Sequence, residues 1–244
     1  NVAVGNGSLT TNTTGSSNTG VGFSSLKANT TGLRNIAMGH DALDANTTGS
    51  NNTSLGQNSS SVATTGDYNV AVGKSSAPFQ TTGNENICVG YYAGGQTAVF
   101  QLTNQSYRAV MGSTSITNAY IKVAWTVTSD ERDKADITSF THGLDYITQL
   151  RPVNYVWDER ANYVDGVRDG SKKKDLPQLG FLAQEIEAVE TSLGITNNCV
   201  VDKETPSDLK VTETKLIPIL VNAIKELSAK NDALEARLLT LEGS

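Results

Sequence analysis

The residues of this sequence best placed to do chemistry stand in one polar run, Ser129-Asp130-Glu131-Arg132-Asp133-Lys134-Ala135-Asp136-Ile137. A serine hydroxyl is a poor nucleophile until a neighbour takes its proton. A lysine amine can take it only where burial or nearby positive charge disfavours the ammonium form, and Arg132 could supply part of that charge. The spacing of Ser129 and Lys134 puts them on poorly matched faces of an α-helix. A loop, or a contact between subunits, must therefore bring hydroxyl and amine together. Taken alone, the run reads as a turn opened by Ser129 and Asp130, with Arg132 and Lys134 as solvated charges.

Other reactive side chains carry less. Cys88 and Cys199 are the only cysteines and have no cysteine or histidine at metal-ligand spacing, so they read as free thiols. His40 and His142 are too isolated to suggest a metal site or a catalytic base. Gln184 and Glu185 are adjacent on a predicted helix and point in different directions, which suits holding helix ends or subunits together better than acid/base work. No metal and no cofactor is expected.

The elements that must position the run begin with Tyr120–Val127, where Ile121, Val123, Trp125 and Val127 alternate with Tyr120, Lys122, Ala124 and Thr126. That pattern predicts a half-buried strand leading to Thr128-Ser129. Upstream, Asn1, Asn18, Asn35, Asn52, Asn69 and Asn86 recur with a period of 17 residues. Gly5, Gly22, Gly39, Gly56, Gly73 and Gly90 form one glycine column, and Gly15, Gly32, Gly49, Gly66 and Gly83 a second. Both columns read as tight turns needing positive φ, giving two short strands per unit stacked into a β-roll or β-solenoid. One unit buries too little to stand alone, so neighbouring units and, given the small side chains, partner chains must supply stability.

The threonine pairs from Thr13-Thr14 to Thr81-Thr82 would form a ladder. It could offer an ice- or glycan-binding face, although strand and turn threonines ordinarily satisfy neighbouring groups. Asn12, Asn29 and Asn46 open N-x-T tripeptides, but these follow from the repeat itself and do not by themselves mark glycosylation. A net charge of −6 disfavours a nucleic-acid partner. Aromatic residues make up 6% of the chain, too few for a thick apolar core throughout. No apolar run approaches the roughly 18 residues of a membrane span, and no signal segment is evident. The chain reads as soluble and, since Asn1 is already in phase with the repeats, as part of a longer protein.

After the run, Thr141–Leu150 has helical spacing and stops before Pro152. Val153, Tyr155 and Trp157 then alternate as a strand. Residues 158–175, with Lys172-Lys173-Lys174, read as a solvated loop, and 183–193 as a helix ended by Gly194. From Ile217 the positions Leu220, Ile224, Leu227, Asn231, Leu234, Leu238 and Leu241 follow in steps of 3 and 4, a heptad seam. Asn231 on that seam sacrifices apolar contact and is expected to fix register. A helix packed only on its own domain is the alternative.

The repeats resemble the head repeats of trimeric autotransporter adhesins and the shaft repeats of phage fibres. The Ser129–Ile137 run resembles the S-D-x-R-x-K-x-x-I signature of self-cleaving intramolecular chaperones at the ends of phage endosialidases, tail fibres and neck appendages. That family also occurs in a membrane-bound transcription factor. Gly143-Leu144-Asp145, Leu150-Arg151-Pro152 before Tyr155 and Trp157, Gly180-Phe181-Leu182-Ala183-Gln184-Glu185 and the long terminal helix extend the resemblance over about residues 128–244. It implies Ser129 as nucleophile, Lys134 as its base and a cut between Thr128 and Ser129. Asp130, Arg132, Ile137, Gln184 and Glu185 are then supporting motif residues.

The expected architecture is mixed: a trimeric β-roll or β-solenoid over 1–96, a strand connector over 97–128, and an α+β chaperone domain over 129–244. That domain ends in a coiled-coil helix at about 215–242. The expected protein is a homotrimeric virion fibre or spike assembled in the host cytoplasm, with no nucleic acid and no membrane insertion. Host receptor or glycan contact would fall to upstream or shaft regions. A bacterial adhesin and an uncleaved glycan-binding module are the competing readings.

Overall fold

The computed structural model describes residues 1–95, 100–113, 115–116, 119–122, 124, 126–197, 199–204 and 208–243, with the side chain of residue 161 excepted. The chain divides into two units, Asn1–Ala124 with Val164–Gly166, and Trp125–Tyr163 with Val167–Ser244.

The first unit is a β-solenoid. Its strands β1 (Val2–Val4), β2 (Thr19–Val21), β3 (Ile36–Met38), β4 (Thr53–Leu55), β5 (Val70–Val72), β6 (Ile87–Val89) and β7 (Ala109–Met111) form one parallel sheet in chain order. Each residue of β2 through β6 pairs with the residue 17 positions earlier, as Ile36 does with Thr19. The last step, from Ile87 to Ala109, is 22 residues, and Leu102 from that longer turn is fully buried. The ladder therefore continues past residue 96, where the repeat pattern alone ended the shaft.

Each turn supplies one strand, where two were expected. Between β3 and β4 the non-glycine residues Asp41, Leu43 and Asn51 adopt φ of 53°, 50° and 58°, which breaks any second extended stretch. Left-handed backbone costs roughly 1–2 kcal/mol per L-residue. Bonds between turns offset it: Asp41 N donates to Phe23 O at 2.9 Å, Leu43 N to Ser59 O at 3.1 Å and Asn51 N to Leu33 O at 2.8 Å.

Only the first glycine column needs an unusual backbone. Gly39 sits at φ 140°, and a Cβ there would lie 2.5 Å from the Gly56 carbonyl oxygen. The second column corrects the expectation of positive φ: at Gly32 the constraint is close approach, since a Cβ would collide with the Gly49 carbonyl and the Asn29 side chain.

The interior is thin. Ala37 is buried in one cluster with Leu9, Leu26 and Leu43, and Ala71 and Cys88 in a second with Leu102 and Val110. What apolar volume does not supply, an asparagine ladder does. Asn35 Nδ2 donates to Gly49 O at 2.7 Å, while its Oδ1 accepts from Asn52 N at 2.9 Å. The same pattern runs from Asn1 to Asn86, mostly away from water, where each satisfied amide avoids a desolvation penalty. The threonine ladder is a further structural device: Thr13, Thr30, Thr47, Thr64 and Thr81 donate their hydroxyls to carbonyls of the next turn. Asn29 and Asn46 are fully buried in a second amide ladder, which leaves their N-x-T motifs inaccessible to a glycan.

The strand expected over 120–127 is not formed by its described residues; Val123 and Trp125 lie outside them. Tyr120 and Val127 are exposed, and an alternating segment becomes a strand only when an edge pairs with it.

In the second unit, α1 (Leu144–Ile147) is shorter than the expected 141–150 helix, β8 (Val153–Tyr155) pairs antiparallel with β9 (Gln178–Gly180), and α2 spans Ala183–Ser192. β10 (Val201–Asp202) pairs with β11 (Lys210–Val211), and α3 spans Leu216–Glu242. Tyr146, Ile186, Val189, Ile195, Val200, Val201, Leu216 and Ile219 form one core. The helix α3 buries Leu216, Ile219 and Ala223, while Ile217, Leu220, Ile224, Leu227, Leu234, Leu238 and Leu241 stay exposed. The buried face and the heptad seam are thus different faces of one helix. Pro218 falls in its first turn, where backbone N–H groups have no intrahelical acceptor to lose.

Candidate active site

The polar run forms a single 3₁₀ turn, Glu131–Asp133, because Asp130 caps it: its Oδ1 accepts from Arg132 N at 2.9 Å. Lys134 N then closes the turn on Glu131 O at 3.0 Å. The chain reverses, and Lys134 Nζ lies 2.6 Å from Ser129 Oγ and 3.2 Å from Ser129 O. The two side chains that no helix could join are thereby brought together within one chain. Ser129, Lys134 and Thr128 are all exposed.

Arg132 does not face the pair as a spare positive charge. Its Nε and a terminal nitrogen donate to the two Asp130 oxygens at 3.0 and 2.6 Å, which neutralises it locally. The Arg132 side-chain bond holds the Asp130 carboxyl below the usual carboxylate range. A depressed folded value means the cap is intact above the ordinary carboxylate pKa and is lost as pH falls through the lower, folded one.

The other motif residues serve elsewhere. Ile137 is exposed. Gln184 is exposed on α2, and Glu185 pairs with Arg151, tying α2 to the segment before β8. Asn231 donates to Glu235 Oε1 at 3.0 Å along α3. His142 Nδ1 lies 2.6 Å from Asp145 Oδ2, and this bond holds the Asp145 carboxyl low. Among the described residues, no group of three or more His, Cys, Asp or Glu could hold a metal, and no helix is long and apolar enough to cross a membrane.

One residue that sequence reasoning missed organises the domain. Glu190 is fully buried, and its Oε1 accepts from Tyr146 Oη at 3.2 Å, Val200 N at 2.7 Å and Val201 N at 3.2 Å. Lys203 Nζ lies 3.2 Å from its other oxygen. Burial, and then the Glu190 charge, push the Tyr146 phenol up. The available signal was an acid on the apolar face of α2, beside Ile186 and Val189.

Residues 129–195 match the family model described as chaperone of endosialidase, a peptidase family. The match begins on Ser129 and ends at Ile195, so α3 lies beyond it. The stretch after the β-solenoid is thus similar to a phage tail-fibre-type intramolecular chaperone, of a family that implies self-cleavage. No curated protein and no solved structure matches the chain.

Proposed function

We propose that this chain is the C-terminal part of a homotrimeric viral tail fibre or spike, whose chaperone domain gathers three chains and then cuts itself off between Thr128 and Ser129. The observation that carries the reading is the 2.6 Å approach of Lys134 Nζ to Ser129 Oγ at the first residue of the family match.

Ser129 follows the scissile bond directly, so the carbonyl carbon within reach of its Oγ is that of Thr128. Attack there passes the hydroxyl proton to the Lys134 amine. As the C–N bond breaks, that proton goes to the departing Ser129 nitrogen. Water then hydrolyses the Thr128 ester and restores the hydroxyl. An ammonium group cannot take a proton, and removal from water favours the amine. In one chain the pair is open to solvent; neighbouring chains of the trimer supply the cover, which makes cutting wait for assembly.

Two exposed apolar surfaces support three chains. One is the α3 seam, with Leu227 59% and Leu234 58% exposed. The other is the outward face of the solenoid sheet, with Val2, Val4, Ile36, Met38, Ile87, Val89 and Met111. Gathering the tails first lowers the entropic barrier to long-range β contacts, and cutting then leaves a shaft that cannot retrace its path. Attachment to a host surface would fall to the shaft or to segments upstream of it.

Denaturing gel and mass analysis test the cut. The wild-type chain is expected to yield a fragment ending at Thr128, and Ser129→Ala is expected to stay full length with unchanged trimer mass by light scattering. A wild-type chain that persists uncut as a trimer would overturn the reading.

A further inference from the structure

Downstream of Ser129 and Lys134 the same segment is fastened to α3 between Phe140 and Leu144. Asn222 Nδ2 donates to Phe140 O at 2.7 Å and to His142 O at 3.2 Å. One helical turn later on the same face, Glu226 Oε2 accepts from Leu144 N at 3.2 Å, an N–H at the start of α1 with no helical acceptor of its own. Between them Gly143 lies against the helix: a Cβ there would stand 2.8 Å from Ala223 N and 2.9 Å from the Asn222 carbonyl carbon. His142 and Gly143 N are in turn held by the Asp145 carboxylate, at 2.6 and 2.8 Å.

Only the residues after Lys134 and before Phe140 separate the amine from this fastening. Six extended steps reach at most about 20 Å, so the clasp limits how far the Ser129–Lys134 turn can stray. The clasp also uses the face of α3 near Ile219 and Ala223, which are buried, and leaves the seam from Ile217 to Leu241 open. One helix can therefore hold the cutting segment and meet other chains at once.

We infer that Asn222, Glu226 and Gly143 form a clasp that positions the Ser129–Lys134 segment on α3, so that the helix that assembles the chains also sets the geometry of the cut. This rests on the self-cleavage reading above and assigns the three residues a positioning role. They touch neither reacting group; they set where the turn can sit when neighbouring chains close over it. Misplacement of a reacting pair by about 1 Å can cost on the order of a hundredfold in rate.

Two near-isosteric changes and one truncation in the full chain separate this role from packing. Asn222→Asp keeps the shape but sets a carboxylate against two carbonyl oxygens. Glu226→Ala removes the acceptor for Leu144 N, whereas Glu226→Gln retains one. The expected result is release of the Thr128-terminated fragment slowed roughly tenfold to a hundredfold in Asn222→Asp and Glu226→Ala. Glu226→Gln should restore the rate, and all three should keep wild-type trimer mass and melting temperature. Wild-type cutting in trimeric Asn222→Asp and Glu226→Ala would overturn the clasp while leaving self-cleavage standing. Loss of assembly together with cutting in both would show a merely structural contact and overturn it as well. An uncut wild type removes the underlying reading, and the clasp with it.

Discussion

At the scale of single residues, identical side-chain types are sorted by what surrounds them. Cys88, sealed in the solenoid, has its thiol pushed up to about 11 by burial, so the reactive thiolate is scarce at neutral pH. Cys199 is half-buried and is also raised, by burial and then by the Glu190 charge. Native protein treated with iodoacetamide at pH 8 should therefore label slowly at Cys199 and not at Cys88. Unfolding in urea should equalise them, as read by peptide mass; equal labelling of both in the folded chain would contradict the buried placement. The polar run shows the same sorting among charges. Arg132 and Lys134 are two positions apart, yet one is spent on Asp130 while the other reaches Ser129.

At the scale of elements, the solenoid replaces the missing apolar interior with backbone and amide bonds repeated at every turn. Asn35→Ala would orphan the Asn52 N–H in a buried site and leave the Gly49 carbonyl with Asn46 Nδ2 as its remaining side-chain donor. Roughly 1–3 kcal/mol per unsatisfied group predicts a marked loss of stability. Gly39→Ala forces an L-residue to φ 140° and into a neighbouring carbonyl, with about 1–3 kcal/mol of backbone strain before the clash is counted. Urea unfolding followed by circular dichroism should give a lower midpoint for both than for a change at an exposed threonine such as Thr48→Ala. Because each turn contacts only its neighbours, the loss should begin near the substituted turn and spread. In α3, division of labour between faces is the important feature, since a helix buried only through Leu216, Ile219 and Ala223 extends well beyond what its own domain covers.

For the whole molecule, the exposed seam states what the chain lacks alone. Leu227→Asp and Leu234→Asp place carboxylates where the proposed coiled coil would bring three copies together. Desolvated like charges should disfavour that contact strongly. Light scattering of the double variant should give the mass of one chain, and fragment release should fail with it. A trimer that persists would show that the seam is not the surface that gathers the chains.

The sequence by itself determined whatever is local or periodic: the 17-residue rung, the first glycine column, the polar run at 129–137 and the heptad spacing of α3. These are legible because each is written at fixed short intervals along the chain. Tertiary structure decided the rest. The second glycine column proved to mark close backbone approach, the described residues of 120–127 did not form the expected strand, and Glu190 became the anchor of a core. Asn222 and Glu226 meet a backbone some 80 residues earlier. Such contacts depend on where distant segments come to rest, and no spacing along one strip of sequence encodes a distance between two of them.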